Sequence, residues 1–297
     1  MISTATRCLA QAHLAVVRAM PVTARRSYGY LLAMGRPPRL RHPRTFTEKV
    51  NWRILRDRRE LLAGTCDKLR MKELAWQSAG DLVRVPRTLW SGRDLRELAG
   101  IALPHRWVLK PNHRSSGIVI LGEGAPDIDD LVARTQGWLE NPSWELGGEW
   151  AYSHARPMFI IEELIGDGSS PPCDFKFFVF DGVPRLVMTS VDAGRTINTY
   201  TPDWKPFDIC ARKKLGAPMP RPDSLDRMLA IAARIGGPFD FLRVDLYDHD
   251  GVVWFGETTP YPGSGMSDYS PRGKADAEIG SWWTLPDLAL HEARRAS

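Results

Sequence analysis

The chain has 297 residues, 43% of them hydrophobic, and a formal net charge of +5, enough apolar material for one large lobe or two to three smaller ones. No apolar run approaches the roughly 20 residues needed to cross a bilayer, so a soluble protein is expected. Cys8, Cys66, Cys173 and Cys210 are scattered without a CxxC pair, which argues against a zinc site or a disulfide framework and fits a reducing, cytoplasmic compartment.

A basic arm comes first. Arg7, Arg18, Arg25, Arg26, Arg36, Arg39, Arg41 and Arg44 precede Glu48, the first acid. They are eight of the 40 basic residues, so the other 32 stand against 35 acids and the body of the protein is about −3. An Arg-rich, acid-free start has the composition of a transit peptide, and it could rest on an anionic membrane. The simpler expectation is a pair of amphipathic helices, near residues 8–20 and 27–34, packed on the acidic body. Membrane or protein contact through residues 1–44 is the second reading, and no nucleic-acid partner is expected, because the charge is confined to this arm.

Thr45-Phe46-Thr47-Glu48 is a capping box that starts a helix. Asp67 caps a second helix over 68–79, which Gly80 stops. Residues 83–86 and 87–90 read as extended pieces and 94–99 as a brief helix. A buried strand at 106–110 is expected to pair with 117–121. Residues 127–140 read as helix and 157–165 as a long apolar strand. Strands 174–180 and 184–191 flank a two-residue Asp181-Gly182 turn. Residues 201–222 read as loop and 223–235 as helix, and 276–295 is mostly helix broken at Pro286. Helices alternating with hairpins indicate α+β lobes with antiparallel sheets.

The richest stretch is Arg243-Val244-Asp245-Leu246-Tyr247, a turn, then Trp254-Phe255-Gly256-Glu257-Thr258-Thr259-Pro260 with Gly263-Ser264-Gly265 behind it. Arg243, Asp245 and Tyr247 share one strand face, as do Phe255 and Glu257. A three-residue loop, His249-Asp250-Gly251, would pair Asp248 with Val252 and set Arg243 opposite Glu257, so that arginine, Asp245 and Glu257 line one surface. A two-residue loop would turn Glu257 to the other side. Paired carboxylates suit Mg²⁺, a hard cation that keeps several waters; an ordinary hairpin with solvated acids is the alternative.

Lys110 ends a strand before the polar loop Asn112-His113-Arg114-Ser115-Ser116-Gly117, which could close over phosphates. Asp174 and Lys176 share an inward strand face and need partners there. Glu162, Glu163, Leu164 and Ile165 follow an apolar strand, whose free backbone groups can pair with a ligand such as adenine.

In this order the pieces resemble the ATP-grasp superfamily from about Pro43 to Trp283. Residues 66–76 are similar to a helix of D-alanine:D-alanine ligases, and residues 45–52, Asp57-Arg58 and residues 174–182 resemble the teichuronopeptide-biosynthesis (TupA-like) branch. The resemblance implies an ATP-grasp fold in which two α+β lobes with antiparallel sheets grip ATP, preceded by the basic helical arm. The implied division is an arm at 1–44, a preceding region at 45–105, a small lobe at 106–165 and a large lobe at 166–297.

Lys68, Lys110 and the loop residues Ser115, Ser116 and Gly117 would contact phosphates. Glu162, with Glu163, Leu164 and Ile165, would meet the adenine, and Asp174 would approach the ribose with Lys176 near the phosphates. Asp245 and Glu257 would ligate Mg²⁺, and Arg243 would steady the transferred phosphoryl. Thr259 stands where the family often has Asn, which leaves one or two metals. The implied reaction joins a carboxylate to an amine through an acyl phosphate, with amino acids or glycan-linked acids as substrates; alternatives are an ATP-grasp kinase acting on a hydroxyl and a non-catalytic module binding an anionic partner through its arginine arm.

Overall fold

The computed structural model describes residues 15–114, 119–166, 172–191, 196–209, 214–267, 269 and 274–289. Two sheets organise it. Strands β1 (Thr88–Gly92), β2 (Arg106–Pro111), β3 (Ile120–Glu123) and β4 (Phe159–Glu163) form an antiparallel sheet in the order β1-β4-β2-β3. Strands β5 (Cys173–Phe180), β6 (Val183–Val191), β7 (Thr196–Tyr200), β8 (Lys214–Leu215), β9 (Leu242–His249) and β10 (Val252–Thr259) form a second, ordered β10-β9-β5-β6-β7-β8 and antiparallel except at β7-β8. No helix among the described residues is long and apolar enough to cross a membrane.

Local signals account for most helices. Helix α1 is Val22–Met34. Helix α2, Phe46–Arg56, begins at the expected capping box: Thr45 accepts from the Glu48 amide and the Glu48 carboxylate accepts from the Thr45 amide. Helix α3, Lys68–Ala79, begins at Asp67, whose side chain accepts from the Arg70 amide, and ends at Gly80. The 94–99 helix is a 3₁₀ turn, Leu95–Leu98. The 127–140 helix stops early, as α4, Ile128–Arg134. Helix α5 is Leu225–Gly236, and α6, Lys274–Ser281, ends well before Pro286.

Strand β7 falls in a stretch that gave no strand signal, and β3 begins at Ile120 rather than 117. The first part of the expected 8–20 helix, like Cys8 and Cys210, lies outside the described residues.

The cores divide by sheet. One face of the small sheet buries Trp107, Leu109, Phe159 and Ile161 with Leu95, Leu98 and Leu131. The large sheet is covered on one face by α5, through Met228, Ile231 and Ile235. On its other face Phe46 of α2 packs edge-on to Phe180, Phe241 and Tyr269, with centroids 5.0–6.2 Å apart. Each such buried side chain stabilises the fold by roughly 1.5–3 kcal/mol. The aromatic cluster covers only one end of that face, and the charged residues occupy the rest.

Asp67 fixes a second joint. Its carboxylate accepts from the Arg156 amide at 3.0 Å and from the guanidinium at 2.8 and 2.9 Å. Burial acts against its charge, but these bonds and the Arg70 amide outweigh burial and bring the carboxyl down to about 2. A depressed carboxyl contributes stability that is complete above its unfolded value near 3.8 and is lost as pH falls through about 2. Arg156 is half exposed, so Asp67→Asn is expected to cost roughly 1–2 kcal/mol at pH 7. Urea unfolding of both proteins should show the difference shrinking below pH 4.

Candidate functional site

The hairpin turn has two residues, Asp250 and Gly251, both at positive φ (53° and 74°), and His249 pairs with Val252. The three-residue loop is therefore corrected. The ladder does not stay in that register, because Gly256 is an extra residue between Phe255, opposite Leu246, and Glu257, opposite Asp245. This bulge restores Glu257 to the face of Asp245. The partner of Arg243 is Thr259, not Glu257. Only glycine fits the bulge: a Cβ there would lie 2.9 Å from the Asp245 carbonyl oxygen and from the Tyr247 ring.

On β5, Lys176 lies opposite Asp245 and Asp174 opposite Tyr247. Asp174, Lys176, Arg243, Asp245, Tyr247, Glu257 and Thr259 thus share one face of the large sheet. Arg243 donates to both Asp245 oxygens at 2.7 and 2.6 Å and to Glu257 Oε1 at 3.4 Å. The Lys176 ammonium bridges Asp174 and, at 3.1 Å, Asp245. Burial opposes the charge on Asp245, yet Arg243 and Lys176 hold its carboxyl below the usual range. Burial likewise opposes the Lys176 charge, and the two aspartates outweigh it. Burial, with Asp245 beside it, pushes Asp174 up.

The opposite wall comes from α3, β2 and β4. Glu162 is 1% exposed. One of its carboxylate oxygens pairs with Lys110 and the other with Lys72. Burial pushes this carboxyl up, but the two lysines more than offset it and leave it lowered. Lys72 also donates to Thr88 Oγ1 at 2.8 Å, and burial lowers its pKa.

Lys68 donates to the Arg114 carbonyl at 2.5 Å. Burial lowers it while the Glu257 charge pulls the other way, so Lys68 is within electrostatic reach of the carboxylate face. The loop after β2 is held by Leu69, whose amide donates to Asn112 Oδ1 at 3.0 Å, and by His113, 3.0 Å from the Glu140 carbonyl.

Formal charges divide across the cleft. Lys68, Lys72 and Lys110 against Glu162 give +2; Lys176 and Arg243 against Asp174, Asp245 and Glu257 give −1. The lysine wall suits a polyphosphate and the carboxylate wall a divalent cation. Asp245 and Glu257, with the Thr259 hydroxyl on the same face, are the residues that could hold a divalent cation there. No group of three or more His, Cys, Asp or Glu among the described residues could hold a metal alone.

The structure thus brings Lys68, Lys110, Glu162, Asp174, Lys176, Arg243, Asp245, Glu257 and Thr259 to one cleft. Ser115, Ser116 and Gly117 lie outside the described residues. Glu163 turns to β1, accepting from the Arg87 amide at 2.7 Å, and Leu164 and Ile165 lie past the strand end. Lys72 was missed by sequence reasoning, although its spacing of four from Lys68 puts both on one helix face.

The family model of TupA-like ATP-grasp proteins matches residues 48–283. Among solved structures, the chain is similar to D-alanine–D-alanine ligase from Helicobacter pylori (14% identity, TM-score 0.44, 75% of this chain and 60% of that one). It is also similar to the D-alanine–D-alanine ligase from Bacillus anthracis complexed with ATP (16%, TM-score 0.39, 67% and 55%). A third is L-amino acid ligase from Bacillus licheniformis (15%, TM-score 0.39, 68% and 42%). The chain therefore spans 60% or less of the length of each of these proteins. No match to a curated protein is found.

Proposed function

The chain belongs to the TupA-like ATP-grasp family, and from that premise we propose that it is an ATP-dependent carboxylate–amine ligase acting through an acyl phosphate. The observation that carries this reading is the charge division of the cleft, a lysine wall facing paired carboxylates. Lys68, Lys110 and Lys72 bind the nucleotide phosphates, and Asp245 and Glu257, with Thr259, hold Mg²⁺. When bound, the metal neutralises charge on phosphate oxygens.

Arg243, anchored on Asp245 and aligned toward Glu257, steadies the transferred phosphoryl group. Lys176 neutralises charge that develops as it moves. A substrate carboxylate oxygen bonds to the γ-phosphorus while the bond to ADP breaks. An amine then bonds to the acyl carbon, inorganic phosphate leaves, and the amine loses a proton. The substrates proposed are an amino acid joined to a second amine or to a glycan-linked acid.

The test supplies ATP, Mg²⁺ and a panel of amino acids and uronic acids, with hydroxylamine as a trapping amine. ADP, free phosphate and a hydroxamate are expected. ADP with a phosphorylated alcohol and no free phosphate would make the protein a kinase instead.

A further inference from the structure

Behind β10 the chain makes a turn that few sequences tolerate. Gly263, Ser264 and Gly265 have φ of 55°, 53° and 64°, three consecutive left-handed residues, of which Ser264 carries a side chain. A non-glycine residue in this region is strained and persists only where its surroundings fix it. At Gly265 a Cβ would also meet Asn51 Nδ2 at 2.4 Å.

The surroundings that fix the turn come largely from the N-terminal segment. Arg26 of α1 is 4% exposed, the one arginine of the basic arm that is buried among the described residues. Its guanidinium donates to the Ser264 carbonyl, to Ser264 Oγ at 3.3 Å, to the Gly147 carbonyl at 2.8 Å and to Asn51 Oδ1 at 2.8 Å. Asn51 in turn donates to the Gly265 carbonyl at 2.8 Å. Glu149, also buried, adds a hydrogen bond with the Ser264 hydroxyl and a negative charge that favours the charged Arg26. Burying a guanidinium is costly unless its donors are matched, and here four acceptors are gathered around it.

Three residues, Pro260, Tyr261 and Pro262, separate Thr259 on the cleft face from the turn, so its position sets where the chain leaving β10 runs. Arg26 also lies outside residues 48–283, which the family model matches, so this lock belongs to the part of the chain in front of the ATP-binding body.

We infer that Arg26 is a positioning residue that holds the 263–265 turn as a wall of the acceptor-substrate site, so the N-terminal segment completes the ligase; this rests on the ligase reading. The segment's buried arginine acts on the acceptor and not on the nucleotide, whose lysines lie on α3 and β2.

The test uses Arg26→Gln and Arg26→Lys in the full chain with ADP bound. Hydrogen exchange at residues 260–267 should rise about tenfold or more in the glutamine variant, with the β9–β10 hairpin unchanged. With amino acids as acceptor probes, the KM for the stimulating amino acid should rise at least about tenfold while the KM for ATP stays within about twofold, and lysine should recover part of the loss. Unchanged exchange and KM would overturn the inference, as would parallel losses in ADP affinity, both KM values and melting temperature, the mark of a purely structural arginine. A wild-type protein that neither binds ADP nor turns over ATP would instead overturn the ligase reading, and exchange at 260–267 would still decide whether Arg26 sets the turn.

Discussion

Asp245→Asn is expected to lower ATP turnover by on the order of 10²–10³-fold, the scale of losing one preorganised electrostatic partner of the reacting group. Two consequences combine. The amide is a poorer ligand for a hard cation, and its NH₂ would face either the Arg243 guanidinium or the Lys176 ammonium, both of which now donate to Asp245. Asp245 is 1% exposed, so removing its charge also leaves buried cations short of a partner, at a cost of about 3–5 kcal/mol.

Glu257→Gln separates the two effects. The Glu257 side chain is 34% exposed and holds Arg243 only at 3.4 Å, so this variant should keep its melting temperature and lose turnover. Steady-state ATP hydrolysis across a Mg²⁺ series, with denaturation of each variant alongside, makes the comparison. Unchanged turnover in both would sink the metal assignment.

Glu162→Gln should produce the second large effect. Glu162 spans two elements, pairing with Lys72 of α3 and Lys110 of β2. A neutral amide leaves two ammonium groups side by side without the carboxylate that bridges them, and the cost should be on the order of 3 kcal/mol. The lysines would also spread, so ADP affinity should fall about tenfold. Chemical unfolding and calorimetric ADP binding measure the two quantities. If Glu162 instead only touched the adenine ring, the variant would alter the preference for ATP over GTP and leave stability alone. That result would remove Glu162 as the anchor of the lysine wall.

Signals contained within a few residues were legible in the sequence. The capping box at Thr45–Glu48, the Asp67 cap and the Asp181-Gly182 turn each satisfy local backbone groups, so their geometry follows from residue type alone. The order of Lys68, Lys110, Glu162, Asp174, Asp245 and Glu257 was legible through family resemblance, and the fold with it.

What the chain does at long range was not legible. Arg26 looked like one more charge on a basic arm, because nothing near it in sequence announces Asn51, Gly147 or Ser264 as acceptors. Arg36, from the same arm, pairs with Glu48 at 2.5 Å. Lys72 was passed over because its partner is 90 residues away. Strand β7 exists because β6 offers it an edge, a tertiary effect that local propensity does not carry.

The β9–β10 hairpin also sets a rule of parity. Side chains alternate, so the number of paired residues between Asp245 and Glu257 decides whether the two carboxylates meet or point apart. A turn one residue shorter and a bulge one residue longer cancel. Forcing Gly256 into the ladder, as a side chain too large for the bulge would, sets Glu257 opposite Val244 and is a frameshift in space rather than in reading, sending the carboxylate to the α5 side with every peptide bond intact. Deleting Gly256 outright would instead be silent at the cleft, because Phe255 stays opposite Leu246 and Glu257 follows it opposite Asp245. This stretch is therefore tolerant of a lost residue at the bulge and intolerant of a larger one there.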